Sequence, residues 1–189
     1  LPNLPQNHYE TNSYICRQLH AHFGAARSAM SLVAKNYSQQ ITDLVLACVD
    51  KYQISTQKCL DLGCSVGRAS FILAQYFTHL DGVDFSAGYI RHGVKLQQGK
   101  SVRYSLENEG DIVDFHEVKL SDIDLPNGDN IHFSQGDASN LKSIFTGYDL
   151  VLAQHVLEQS YDPRLFLQSI HQRLTHSGLL VVVSNYHFN

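Results

Sequence analysis

A chain of 189 residues has room for one domain that buries roughly 70% of its unfolded surface, and no low-complexity stretch divides it. A net charge of −4, with the 14 lysines and arginines scattered, excludes the basic footprint of a nucleic-acid or anionic-membrane binder and favours a small partner. The longest apolar runs, such as Leu179 to Val183, fall far short of a bilayer span, and the first residues lack a basic-then-apolar leader, so a soluble cytoplasmic protein is expected.

In chain order, Thr11 to Phe23 has Ile15, Leu19 and His22/Phe23 on one side and Gly24 after it, which predicts a helix with a glycine C-terminus. Ile41, Leu44, Val45, Cys48, Val49 and Tyr52 predict a second amphipathic helix, with Ser38 as its N-cap. A regular alternation follows. KCLDLG is a strand, Arg68 to Phe77 a helix, LDGVDF a strand and Ala87 to Gln97 a helix; IHFSQGD and YDLVLAQ are strands, Pro163 to Leu174 a helix and LLVVVS the last strand. Near-continuous apolar strands separated by helices imply an α/β fold with a parallel sheet covered on both faces. Asp162-Pro163, a capping acid before proline at the first helical position, marks the sharpest boundary.

One segment breaks the rhythm. Val102, Tyr104 and Leu106 alternate, as do Val113 and Phe115, around a polar glycine-containing turn, which predicts a β-hairpin insertion over residues 99–130. It is either a surface decoration or a flap over a pocket. The expected division is thus N-terminal helices with a possible lid role (1–54), a Rossmann-like core (55–98 and 131–189) and the inserted hairpin.

The four cysteines show no C-x-x-C pair, and a chain with this apolar content needs no staples, so reduced thiols are expected. The 11 histidines include no H-x-x-x-H with a carboxylate between, and His20 and His22 point to different sides of their helix; no metal is expected.

The stretch Asp61-Leu62-Gly63-Cys64-Ser65-Val66-Gly67 lies at the carboxyl end of the first strand, where open α/β sheets bind ligands and where glycine lets backbone approach them. A dinucleotide fingerprint reads G-x-G-x-x-G and holds a pyrophosphate. Here the spacing is G-x-x-x-G with an acid two residues earlier, which would repel a phosphate but suits an ammonium and a sulfonium; this favours S-adenosylmethionine over NAD. Asp84, at the end of the next strand, is positioned to accept ribose hydroxyls, with Phe85 beside it. Asp137 and Ala138, after the third core strand, stand where the adenine amino group would be met. Each acid alone is equally a cap or a turn residue; three at successive strand ends point to a ligand.

The order of DLGCSVG, GVDFS, QGDASNL and YDLVLA resembles class I S-adenosylmethionine-dependent methyltransferases, with Ser65 where a middle glycine is frequent. A narrower resemblance spans almost the whole chain. HYETNSYICRQLHAHFG, VRYSLENEGDIVDFHEVKL, FSQGDASNLKSIFTGYDLVLA, YDPRLFLQSIHQRL and SGLLVVVSNY are similar to the ovothiol-biosynthesis methyltransferase family, the 4-mercaptohistidine N1-methyltransferases, commonly the C-terminal domain of a histidine–cysteine sulfoxide synthase. The resemblance implies a Rossmann-like three-layer sandwich and methyl transfer to an imidazole nitrogen of 5-thiohistidine, with S-adenosylhomocysteine as by-product and a sulfoxide-synthase domain as fused or associated partner.

In-line methyl transfer needs a nucleophile held near the methyl group and an acceptor for the departing proton, not a nucleophilic triad. Candidates on the acceptor side are His155 and Gln154 after YDLVLA, Tyr9 and Glu10 at the start of the first helix, and Tyr186 after the last strand, with Gln154 beside the donor and Glu10 and Arg103 as partners for an amino-acid substrate. Ordinary roles for these are a capping glutamate, packed tyrosines and a hydrogen-bonded histidine. The chain departs from the family where it has AQHVLEQSYDP in place of AANLIDRLYDP and SNYHF in place of SPYTW, both on the acceptor side. Class I methyltransferases also usually add two strands after the equivalent of LLVVVS. The chain starts without methionine and stops at Asn189, so a fragment with an open apolar edge strand is expected. The other functional classes left open are a non-catalytic domain that binds the cofactor and, against the glycine spacing and Asp61, a nicotinamide-dependent oxidoreductase.

Overall fold

The computed structural model describes residues 8–24, 36–108 and 112–185. Five parallel strands form its centre: β1 (Lys58–Leu62), β2 (His79–Asp84), β5 (Ile131–Gln135), β6 (Tyr148–Gln154) and β7 (Leu174–Val183), in the order β5-β2-β1-β6-β7. β3 (Val102–Glu107) and β4 (Val113–Val118) form a separate antiparallel hairpin. β6 is buried at all seven positions, as the apolar run Leu150 to Ala153 requires of a strand covered on both faces.

The helices are α1 (Asn12–Phe23), α2 (Tyr37–Lys51), α3 (Arg68–Leu73), α4 (Ala87–Gln97) and α5 (Pro163–Ile170). On one face of the sheet, Cys59, Leu80, Leu150 and Leu152 pack with Leu19 of α1, Val45 and Val49 of α2, Phe71 of α3 and Leu96 of α4. On the other, Leu60, Leu62, Val151 and Ala153 pack with Phe166 and Ile170 of α5. The result is the three-layer, Rossmann-like α/β arrangement the alternating elements predict. Leu62 stands opposite both Val83 and Ala153, and Asp84 opposite Gln135, so β1, β2, β5 and β6 end together. Strand order reverses between β1 and β6, and the crevice at such a switch point is where open α/β sheets hold ligands.

Several local expectations are corrected. The cap of α2 is Asn36, whose side chain accepts from the Ser38 N–H at 2.9 Å, while Ser38 itself is buried in the first turn. The buried face of α2 runs through Ser38, Thr42, Val45 and Val49; Leu44 and Tyr52 are 65% and 58% exposed. Thr42 is admitted to the core because its hydroxyl donates to the Ser38 and Gln39 carbonyls, which hides its polarity. α3 stops at Leu73 and α5 at Ile170, each followed by a tighter turn.

The hairpin is present, but not as a flap, for none of its described residues lines the cavity at the strand ends. It braces α1: Val102, Tyr104 and Val118 are buried, the Tyr104 hydroxyl meets His20 Nδ1 at 3.2 Å, and the His116 ring stacks on Tyr104. Val113 and Phe115 lie on the opposite face of the ribbon, with Phe115 85% exposed. Arg103 also faces outward, paired with Glu117 at 3.4 Å, away from that cavity. All four cysteines are free thiols. No described helix is long and apolar enough to cross a membrane.

Candidate functional site

The ends of β1, β2, β5 and β6 open into a cavity of about 630 Å³, within the range of small-molecule sites. Its floor is the turn after β1. Gly63 has φ 71°, and a Cβ there would run into the Gln154 carbonyl oxygen, so only glycine lets β1 leave the sheet beside β6. Ser65 is also left-handed, with φ 52°, and its N–H donates to Asp84 Oδ2 at 2.9 Å. Asp84 Oδ1 accepts from the Ser86 N–H at 2.9 Å, so one carboxylate joins the turns after β1 and β2. Burial raises its pKa although both amides favour the ionised form. Gly63, Ser65, Asp84 and Phe85 line the cavity, as do Asp137, which caps its turn by accepting from the Ser139 N–H at 2.8 Å, and Ala138.

Three of the five site candidates in the DLGCSVG stretch are not on the wall. Cys64 is fully buried, and Gly67, with φ 91°, starts α3 where a Cβ would meet the Phe133 ring at 2.7 Å. Asp61 is fully buried too. It accepts from Ser70 Oγ at 2.6 Å and from Gln154 Nε2 at 2.8 Å. Burial pushes its pKa up to about 6 against these hydrogen bonds. The acid thus stands one side chain behind the cavity, and Gln154, which lines it, lies between.

His155, directly after β6, has φ 52°, its N–H donating to the Val183 carbonyl at 2.8 Å. Its Nδ1 is 3.2 Å from Glu158 Oε1, which also accepts from the Asn185 N–H at 2.8 Å. Burial would raise the Glu158 pKa, but these hydrogen bonds outweigh it and hold the carboxyl below its ordinary value. A carboxylate on Nδ1 selects the Nδ1–H tautomer and leaves Nε2 as an acceptor, met by the Tyr37 hydroxyl at 3.1 Å. His155 and Tyr37 both line the cavity.

Residues 33–186 match the family of methyltransferase domains. The chain belongs to that family. Its fold resembles a S-adenosylmethionine-dependent methyltransferase from Clostridium acetobutylicum ATCC 824 (TM-score 0.56, 15% identity, 77% of this chain and 49% of that one). It also resembles coclaurine N-methyltransferase bound to N-methylheliamine and SAH (TM-score 0.57, 18% identity, 88% and 43%) and the CcbJ methyltransferase from Streptomyces caelestis (TM-score 0.55, 18% identity, 79% and 52%). The chain spans about half the length of these structures. No curated protein matches its sequence.

In this methyltransferase domain Tyr9 lines the cavity, but Glu10 does not; its Oε2 accepts from the Gly88 N–H at 3.1 Å in the first turn of α4, the ordinary capping role. Tyr186 lies outside the described residues. Gln18, His22, Tyr37, Ser38 and Tyr161 line the cavity although none was a site candidate in the sequence, and Glu158 supports His155 from behind. Only Glu158 had a local signal, the H-x-x-E spacing that puts it one turn from His155. No lysine or arginine is among the described lining residues.

Proposed function

We propose that this domain transfers a methyl group from S-adenosylmethionine to a small nitrogen nucleophile, and that the acceptor is an imidazole nitrogen of 5-thiohistidine, in the formation of ovothiol. The observation that carries the methyl-transfer reading is the Asp84 carboxylate on the wall of a cavity at the switch point, tied to a glycine turn that allows close backbone approach. The lining fits the donor: Asp84 for the ribose hydroxyls, Phe85, Asp137 and Ala138 for the adenine, Gly63 and Ser65 along its length, and Gln154 at the methionine end. When bound, S-adenosylmethionine supplies a methyl group already activated on a sulfonium. The residues of the chain position the acceptor, exclude water and receive a proton.

His155 Nε2 is the proton acceptor, its tautomer held by Glu158, and Tyr37 occupies that position until an acceptor replaces it. The near-full-length resemblance to the ovothiol family supports 5-thiohistidine. The absence of lysine or arginine among the described lining residues favours a second reading, a different small amine or heterocycle with no carboxylate to neutralise. Calorimetric titration with S-adenosylhomocysteine, followed by mass spectrometry of 5-thiohistidine incubated with the protein and S-adenosylmethionine, tests both levels. A product heavier by one methyl group is expected. Cofactor binding with no methylated thiohistidine would transfer support to the second reading, and no cofactor binding would refute both.

A further inference from the structure

The hairpin presents an edge as well as a face. β3 packs against α1 and α4, and β4 pairs with β3 alone among the described strands. One step beyond the Glu107–Val113 pair, the Asn108 N–H donates to the Ile112 carbonyl at 2.9 Å, so these two residues form a hydrogen-bonded pair. Hydrogen-bonded and non-hydrogen-bonded pairs alternate along an antiparallel ladder. Leu106–Asp114, Tyr104–His116 and Val102–Val118 therefore carry the bonds inside the hairpin. The N–H and C=O groups of Val113, Phe115 and Glu117 point the other way, out of the free edge of β4.

The side chains of the same three residues lie on the outer face, where Phe115 is 85% exposed, with Ile112 at 61% just before the strand. An edge of this kind is a template for another strand, and its chemistry matches a copy of itself. The three outward-facing residues are centred on Phe115. A second β4 laid antiparallel about a two-fold axis at that residue sets Phe115 opposite Phe115 and Val113 opposite Glu117, and every outward N–H and C=O finds a partner. The aromatic rings meet on the outer face as a cross-strand pair. The intervening, more closely spaced pairs set Asp114 opposite His116, a carboxylate against a ring that carries an N–H. Glu117, the other acid of the strand, is already matched by Arg103 at 3.4 Å.

We propose that β4 is a dimerisation edge: two copies of this chain pair their β4 strands antiparallel about Phe115 and join two hairpins into one four-stranded sheet. Because the same edge serves both copies, the pairing closes at two. A contact made through one pair of strands lies at the low end of interface sizes, so the dimer dissociates on dilution. None of the described hairpin residues lines the cavity, which the dimer leaves open.

Sedimentation velocity of the protein from about 1 to about 100 μM should show monomer giving way to dimer and nothing larger. Phe115→Pro removes an outward N–H but no bond of the hairpin, and it should weaken the dimer at least about tenfold, the scale of the two hydrogen bonds lost at the two-fold axis. Phe115→Cys should form an intermolecular disulfide under a thiol oxidant, beyond any in the unaltered protein, since the Cα atoms of a hydrogen-bonded pair lie about 5.5 Å apart. Val113→Cys, opposite Glu117, should not. The two cysteine variants decide the register by themselves if the proline variant fails to melt cooperatively. A monomer at every concentration, a dimer indifferent to a folded Phe115→Pro variant, cross-linking at 113 as fast as at 115, or assembly beyond two copies would each overturn the proposal.

Discussion

On one wall of the cavity, Gly63, Ser65, Asp84, Phe85 and Asp137 leave β1, β2 and β5 within a few residues of the strands that carry them. On the other, Gln18 and His22 come from α1, Tyr37 from α2 and His155 from the position after β6, and the pair that meets there, Tyr37 and His155, is separated by 118 residues. The first wall is made of backbone turns held by a carboxylate, and its geometry follows from strand ends and glycines. The second consists of side chains whose meeting depends on how two helices lie on the sheet. A cofactor common to a large family can be held by the first kind of wall, and under the proposed function Tyr37 and His155 of the second face the methyl acceptor.

The two walls should therefore separate under mutation. The largest effect is expected for His155→Asn, since asparagine tolerates the left-handed backbone while removing the imidazole. Turnover should fall by about a hundredfold to ten-thousandfold, with S-adenosylhomocysteine affinity within about twofold of the unaltered protein. Parallel loss of cofactor affinity would mean that the walls are not independent. Asp84→Ala should act in the opposite sense. Loss of the partner of two backbone amides and of the ribose acceptor should lower S-adenosylhomocysteine affinity by about a hundredfold in calorimetry, a result that retained affinity would contradict.

Asp61 offers a smaller, pH-dependent test behind the first wall. Its folded pKa, about 6, lies above the ordinary 3.8, so the folded state retains a proton that the unfolded chain releases. That stabilisation is full below the unfolded value and is lost as pH rises through about 6. Relative to Asp61→Asn, the unaltered protein should lose about 1 kcal/mol of stability between about pH 5 and about pH 7.5, measured by urea unfolding. A pH-independent difference would mean that Asp61 is ionised throughout. The smallest effect is expected for Tyr104→Phe, which removes the hydroxyl contact with His20. It should cost about 0.5 kcal/mol and leave cofactor affinity unchanged, since none of the described hairpin residues lines the cavity. A marked drop in affinity would restore the hairpin as part of the site.

Legibility in the sequence follows the same division. α4 and β6 lie where the alternation of apolar and polar residues puts them, because their limits are set by neighbours one to four positions away, as with Ser86 capping α4. Asp162 and Pro163 likewise set the start of α5. Spacing alone could not say which flank of α2 turns inward, because Leu44 and Thr42 compete for the core and backbone carbonyls within reach of the Thr42 hydroxyl decide it. Nor could it say that Glu10 caps a helix 78 residues away, or that Phe115 faces outward while Tyr104 faces α1.

The sequence by itself determined the α/β class, the parallel strands, the glycine turn and the acids at the ends of β2 and β5, since these depend on local periodicity and on backbone conformations that few residues adopt. Only the tertiary structure decided that Asp61 stands behind Gln154, that Gln18 and His22 join the site, and that Glu158, His155 and Tyr37 form a chain. Contacts between residues far apart in sequence are set by the packing of whole elements, and no local pattern encodes where those elements come to rest.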